Sequence, residues 1–348
     1  MRDLLKIKAT MPATAVTNGG LGNWLTRPML ITFAILVTVP LWIHEVGLYQ
    51  YLGVEILIWM IYALGFNLLL GYTGLPSFGH GAYFGIGAYA FGLFQVHMTE
   101  SLWLGLLAGI AAASVAGGLV ACFISHRRGI YFALMTISFG QVFWFISMKW
   151  HRLTGGEDGL LNIPRPDLSL GSLSIDLKGN VALYYFVFAV IGLWRLTHSP
   201  FGKVIQAIRQ NEMRAAFVGY NVWLFKWAVF TISTAVAGLA GGLFSMAQQS
   251  AYPDVMGLHA SGFVVMMTLV GGGFVSFWGP VLGALVFFLA RDLLGAATET
   301  WLLWYGLMFM AMVLFKPEGI AGIWQQWVAK RRHAAAERAD AAPSRVAV

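Results

Sequence analysis

Apolar stretches of roughly 20 residues, the length that carries an α-helix across the hydrocarbon core of a bilayer, recur along most of this sequence. That recurrence constrains the chain more than any other feature. A segment in lipid must satisfy its own backbone N–H and C=O groups, so it crosses as a helix. Charged residues make up 11% of the 348 residues and hydrophobic ones 58%, whereas a soluble domain carries about 25% charged residues. So few charges cannot cover a globular surface of this size. The fold class read from this is all-α, a polytopic integral membrane helical bundle. The 41 glycines suit close helix packing. The 14 Trp and 12 Tyr suit the two membrane interfaces.

Spans are predicted at about 28–44, 51–71, 77–97, 102–124, 130–149, 180–197, 227–247, 257–273, 279–295 and 301–316. About ten spans put both termini on one side. Of the 22 Lys and Arg, 17 then fall on that side, among them Arg127, Arg128, Lys203, Arg209, Arg214 and Lys226. The other 5 are Lys149, Arg152, Arg165, Lys178 and Arg291. Cytoplasmic loops collect Lys and Arg, so the richer side, with both termini, is predicted to be cytoplasmic. The same rule accounts for the net charge of +7 without nucleic acid. Three regions follow: a cytoplasmic N-terminal segment 1–27, a transmembrane domain 28–322 and a basic cytoplasmic tail 323–348. No small-residue cleavage site follows the first apolar run, so it is expected to stay as an uncleaved span. A single cysteine, Cys122, excludes an internal disulfide.

Two hydrophilic segments stand out. Residues 150–179 form an outer loop containing Thr154-Gly155-Gly156-Glu157-Asp158-Gly159. Residues 198–226 form an inner loop with helical character. Ser199 and Pro200 make a helix start. Val204, Ile205, Ile208 and Met213 recur at helical spacing, and Gly219 can end the helix in a left-handed conformation. A helix this short is marginal alone in water, so it should dock on a protein groove or lie on lipid. The pattern leaves both open.

Polar residues within the spans are few. Asn67 needs a partner, either across a helix–helix contact or along a solute path. Thr136, Ser138 and Gln141 lie in the fifth span, the last two on one face. His80, flanked by glycines, has no second ligand at zinc spacing. Glu55 is read as reaching the headgroups, and the adjacent Arg291 and Asp292 as a structural charge pair. The glycine-rich stretches 71–87 and 271–283 should break helical continuity, and such breaks flank the pathway in transporters. Thr73, Ser77 and Tyr83 lie in the first. The candidate substrate pathway is therefore Asn67, Thr73, Ser77, Tyr83, Ser138 and Gln141. No phosphate-binding Gly-x-x-x-x-Gly-Lys-Ser/Thr loop occurs, so an ATP site would belong to another polypeptide. No catalytic or metal-binding residues are assigned.

Several stretches carry a resemblance. Gly202 to Gly219, with Asn221 and Ala237-Gly238-Leu239-Ala240-Gly241 after it, is similar to the branched-chain amino acid ABC transporter permease family, LivM type. So are Asn67-Leu68-Leu69-Leu70-Gly71-Tyr72-Thr73-Gly74-Leu75-Pro76-Ser77-Phe78-Gly79-His80-Gly81 and Arg128-Gly129-Ile130-Tyr131-Phe132-Ala133-Leu134. Gly271-Gly272-Gly273 with Gly279-Pro280-Val281-Leu282-Gly283-Ala284 agrees as well. The likeness covers roughly residues 30 to 322. Pro76 stands where a Leu is common, and Gly81 where an Ala is common.

The resemblance implies a bacterial inner-membrane permease for Leu, Ile and Val, or for urea, amides or aromatic acids. It implies a second related permease subunit as heterodimer partner, two ATP-binding subunits that hold ATP and Mg, and a periplasmic solute-binding protein. The 198–226 loop would be the coupling loop, with Gly202, Lys203, Ala207, Arg209, Glu212, Ala215 and Gly219 coupling it to the ATPase. An ion-driven secondary transporter is the rival reading. It calls for carboxylates at mid-membrane, and the mid-span positions are nearly free of acids.

Overall fold

The structure, a computed structural model, describes residues 50–98, 101–164, 181–274, 276–316, 318–324 and 326–327. The predicted span at 28–44 and most of the 323–348 tail lie outside the described residues, as does the second half of the outer loop.

The described chain is nearly all helix. α1 (Gln50–Asn67) runs directly into a π-helical turn, Leu68–Thr73. Then follow α2 (Gly81–His97), α3 (Leu102–Ile124), α4 (Gly129–Lys149), a single turn α5 (His151–Thr154) and α6 (Val181–His198). Two short helices come next, α7 (Pro200–Gln210) and α8 (Glu212–Phe217). α9 (Val222–Gln248), α10 (Leu258–Gly271), α11 (Gly279–Ala297) and α12 (Trp301–Phe315) complete the set. Among the described residues, five stretches are long and apolar enough to cross a membrane: Tyr51–Thr73, Leu102–Ile124, Gly129–Lys149, Val222–Gln248 and Gly279–Ala296. Tyr185–His198, Leu258–Gly271 and Leu302–Phe315 are shorter apolar helices. Among the described residues no strand forms. One isolated antiparallel bridge, Leu160 with Ala251, ties the segment after α5 to the α9–α10 connection.

Burial separates the central helices from the peripheral ones. In the most apolar stretch of the α1 span 94% of the residues are buried, and in that of α9 72%, whereas in that of α4 only 22% are. Small residues let the central helices approach backbone to backbone. A Cβ at Gly238 of α9 would lie 2.7 Å from the Gly109 carbonyl oxygen of α3. A Cβ at Gly87 of α2 would overlap the Gly238 backbone, and one at Gly241 would overlap the Phe84 carbonyl. The Trp227 indole N–H donates to the Gly118 carbonyl at 2.9 Å, a further tie between α9 and α3.

The first glycine-rich break is shorter than the sequence suggests. Irregular backbone runs only from Gly74 to His80, and α2 starts at Gly81. The later glycines, Gly85, Gly87 and Gly92, sit inside α2. They are tolerated there because each faces a close neighbour: Met256, Gly238, and Ile163 with Leu160. The second break runs from Gly272 to Trp278. Gly74 (φ +74) and Gly272 (φ +86) take the left-handed conformation that ends each helix.

Arg291 does not pair with Asp292. Its guanidinium donates to the Glu55 carboxylate of α1 at 3.1 Å and lies 5.4 Å from the Phe288 ring centre. Neighbours on a helix point about 100° apart, so adjacent charges rarely meet. Glu55 is thereby engaged by a helix partner.

A bulky residue at the three-helix contact should be felt directly. Gly238→Val is expected to lower the thermal unfolding temperature in detergent, at a cost of about 1–3 kcal/mol. Gly192→Val on α6, where a Cβ meets nothing within 4 Å, should leave it nearly unchanged. Equal melting curves for both variants would rule out glycine packing as the organising contact.

Candidate functional site

Among the described residues, two of the ion pairs gather around α8. Ser199 caps α7, accepting from the Gly202 N–H at 3.4 Å, and Pro200 occupies the first turn. Val204, Ile205 and Ile208 are buried, while Lys203 and Ala207 face outward. Gly202 allows the first turn of α7 to press on the Thr197 carbonyl at the end of α6. The loop is two helices rather than one. Asn211 is extended (φ −160, ψ 105), and its side-chain oxygen accepts from the Arg214 N–H at 3.0 Å, capping α8. An amide side chain that can bond the backbone two or three residues on competes with helix continuation. The break changes the phase. Met213, grouped by spacing with the apolar face of α7, is instead exposed, and Ala215 is buried with Val204 and Ile208. Phe217 and Val218, at 84% and 76% exposure, form an apolar tip ahead of Gly219 (φ +101).

Glu212 starts α8 and does not face outward. Its carboxylate, with 12% of the side chain exposed, binds Arg128 of the α3–α4 turn and Lys226 of α9. Lys226 is buried (2%) and also donates to the Arg127 carbonyl at 3.3 Å. One carboxylate thus joins three elements. Lys226 carries no motif, and its signal was only a lone cation at the start of an apolar run.

Arg209 turns inward as well. Its guanidinium donates to the Gly71 carbonyl, and to the Phe274 carbonyl at 3.4 Å, and lies 5.0 Å from the Phe274 ring centre. Burial lowers its pKa from the ordinary value. A guanidinium starts so far above neutrality that it keeps its charge. Arg209, Glu212, Arg128, Thr73 and Leu75 line a cleft of about 440 Å³.

The six predicted pathway residues fall into two groups. Asn67, Thr73, Ser77 and Tyr83 are packed inside the chain. Ser138 and Gln141 lie on the exposed face of α4, with Ile130, Leu134 and Phe145 at helical spacing beside them. Thr73 donates to the Leu68 carbonyl at 3.0 Å. Tyr83 stacks edge-on against His80 and Phe230. Asn67 fills the space left by Gly71 and Gly273. His80 is fully buried, with Nε2 3.0 Å from the Ser233 hydroxyl. That hydroxyl donates to the Gly65 carbonyl at 2.7 Å. Its one proton is used there, so His80 carries its proton on Nε2 and donates to Ser233.

The ion cluster yields a stability prediction. Glu212→Gln leaves the buried Lys226 ammonium without its counter-charge and should cost about 3–5 kcal/mol. Glu212→Gln combined with Lys226→Met should recover part of that loss. Thermal unfolding of the single and double variants checks this, and a double variant no more stable than the single one refutes it.

No solved structure matches the chain. The high-affinity branched-chain amino acid transport system permease protein LivM of Escherichia coli is 29% identical over 289 residues, covering 76% of this chain and 68% of that one. The probable LivM of Methanocaldococcus jannaschii is 24% identical over 320 residues, covering 76% and 92%. The guanosine ABC transporter permease protein NupQ of Bacillus subtilis is 27% identical over 229 residues, covering 58% and 67%. The family model described as the permease component of branched-chain amino acid transport systems matches residues 49–315, from the start of α1 to the end of α12. The chain belongs to that family and is a multi-pass membrane permease, a transport component rather than a catalytic enzyme.

Proposed function

We propose that this chain is the membrane-spanning subunit of an ATP-driven importer that carries Leu, Ile and Val across the bacterial inner membrane. It spans about ten times with both termini in the cytoplasm, the orientation favoured by the 17 to 5 split of its Lys and Arg. A second, related permease completes the pathway. Two ATPase subunits bind ATP and Mg below it, and a periplasmic binding protein delivers the solute above it. The branched-chain substrate is supported by the bacterial and archaeal LivM relatives.

The observation that carries the reading is the apolar tip of α8. Met213, Phe217 and Val218 project from a helix held to the membrane helices by Glu212, Lys226 and Ala215. A cluster of large apolar residues left exposed at such a tip marks a contact surface, and a groove on an ATPase subunit is its proposed partner. Of the coupling residues read from sequence, Gly202, Arg209, Glu212 and Ala215 hold the helix pair in place. Lys203, Ala207 and Gly219 face outward with the tip. Asn67, Thr73, Ser77 and Tyr83 are proposed to flank the solute path on this chain's side. Ser138 and Gln141 are proposed to face the second permease.

Phe217→Asp should abolish copurification of the ATPase subunits and uptake together, while leaving the permease inserted in the membrane. Gly219→Asp should act similarly, since φ +101 strains any side chain there. Normal uptake by both variants would sink the docking proposal. Labelled leucine uptake by deletion and complemented cells, with unlabelled valine, guanosine, phenylacetate and urea as competitors, tests the substrate. Loss of leucine uptake with competition by valine alone is expected. Unchanged leucine uptake on deletion would move the importer to another solute.

A further inference from the structure

Arg209 stands where two broken helices end. α1 passes into the π-helical turn Leu68–Thr73 and stops at Gly74. Near such an end the last carbonyls lack helical partners. The Gly74 N–H bonds to the Leu70 carbonyl and the Leu75 N–H to the Leu69 carbonyl, both at 3.1 Å. The next residue is Pro76, which has no N–H. The Gly71 carbonyl is therefore passed over by the chain's own backbone, and the Arg209 guanidinium donates to it.

The second break also follows a helix end closed by glycines. α10 ends at Gly271, and the Gly272 and Gly273 N–H groups bond back to Leu269 and Thr268. Beyond them the Phe274 carbonyl faces Arg209 at 3.4 Å, and the Phe274 ring lies 5.0 Å under the guanidinium. The Gly71 carbonyl belongs to the C-terminal, partially negative end of a helix, where a cation is favoured, and the Phe274 carbonyl lies three residues beyond the end of α10. Planar Arg can donate to both while its face rests on the ring.

The two breaks also touch each other directly. The Asn67 side chain fits against Gly71 and Gly273, and a Cβ at Gly71 would lie 2.7 Å from the Gly273 carbonyl oxygen. A Cβ at Gly74 would meet the Arg209 Cγ at 3.1 Å, so the arginine stem lies on the first break. One side chain from the α7–α8 pair thus grips the ends of α1 and α10 at the point where those ends pack together.

We propose that Arg209 is a positioning residue through which the α7–α8 pair sets the relative placement of the two helix breaks. In the arrangement described it holds them together. Displacement of α7 draws the guanidinium off the Gly71 and Phe274 carbonyls and frees the breaks to part. The proposal rests on the importer reading and gives a role inside this chain to a residue that the resemblance alone directs toward the ATPase.

The test uses the complete importer, with partner permease, ATPase subunits and binding protein, in proteoliposomes. It reads solute taken up per ATP hydrolysed for wild type, Arg209→Gln and Arg209→Lys. Copurification of the ATPase subunits is scored in parallel. Arg209→Gln is expected to retain those subunits and to lower the uptake-to-hydrolysis ratio by about tenfold or more, the size of a lost charge-assisted hydrogen bond. Arg209→Lys, which keeps the charge without the fork, should fall between. A ratio within about twofold of wild type for Arg209→Gln overturns the proposal. So does loss of the ATPase subunits from that variant, because Arg209 would then act in docking. Should Arg209→Gln fail to accumulate, Arg209→Lys decides by the same ratio. A wild-type complex without ATP-dependent uptake would instead overturn the importer reading, and this proposal with it.

Discussion

Everything in this molecule follows from the cost of an unpaired backbone group in an apolar medium. A peptide N–H or C=O without a partner there costs several kcal/mol, so the chain is helix wherever it can be. Where it is not, other groups complete the hydrogen bonds. At the first break the left-handed Gly74 and the Arg209 guanidinium serve the exposed carbonyls. The Phe78 N–H goes to the Thr136 hydroxyl at 3.2 Å, and the Gly81 N–H to the Ser261 hydroxyl at 2.8 Å. The irregular stretch between α1 and α2 is therefore fixed by side chains from α4, α7 and α10. Its geometry depends on helices distant in sequence.

The second consequence is proximity. Helices that neither gain nor lose much by leaving lipid associate through close packing and hydrogen bonds. Gly87, Gly109 and Gly238 bring α2, α3 and α9 into backbone contact, and α1 is enclosed by the helices around it. α4 is the exception. Its outward face carries Ser138 and Gln141 among apolar side chains. Two polar side chains on the apolar face of a sparsely covered span fit the proposed contact with a second permease.

Much of this was legible in the sequence because hydropathy and helix ends are local. The apolar runs, the Ser199-Pro200 start and the left-handed Gly219 all depend on residues close together. What was not legible depends on distance. Lys226 reads as an ordinary basic residue near a span end until Glu212 and the Arg127 carbonyl are found beside it. Arg291 reads as the partner of its neighbour Asp292, yet its partner is Glu55, far away on α1. Met213 continues an apolar spacing that the Asn211 break interrupts, because side-chain capping outcompetes one more helical turn. The polarity of Asn67 calls for a partner, yet the fold gives it only room beside Gly71 and Gly273, and neither polar atom of its side chain meets a hydrogen-bond partner among the described residues.

The Asn211 break has a mechanical consequence. A continuous helix would transmit force along its axis as a rod, and everything attached to it would turn through one angle. Here the hydrogen-bond ladder is interrupted between α7 and α8, so the pair behaves as two links with an elbow. The distal link is tethered by Glu212 to the α3–α4 turn and α9. The proximal link is tethered by Arg209 to α1 and α10. The elbow sets these two tethers on separate links, so a push on the pair need not turn both through the same angle.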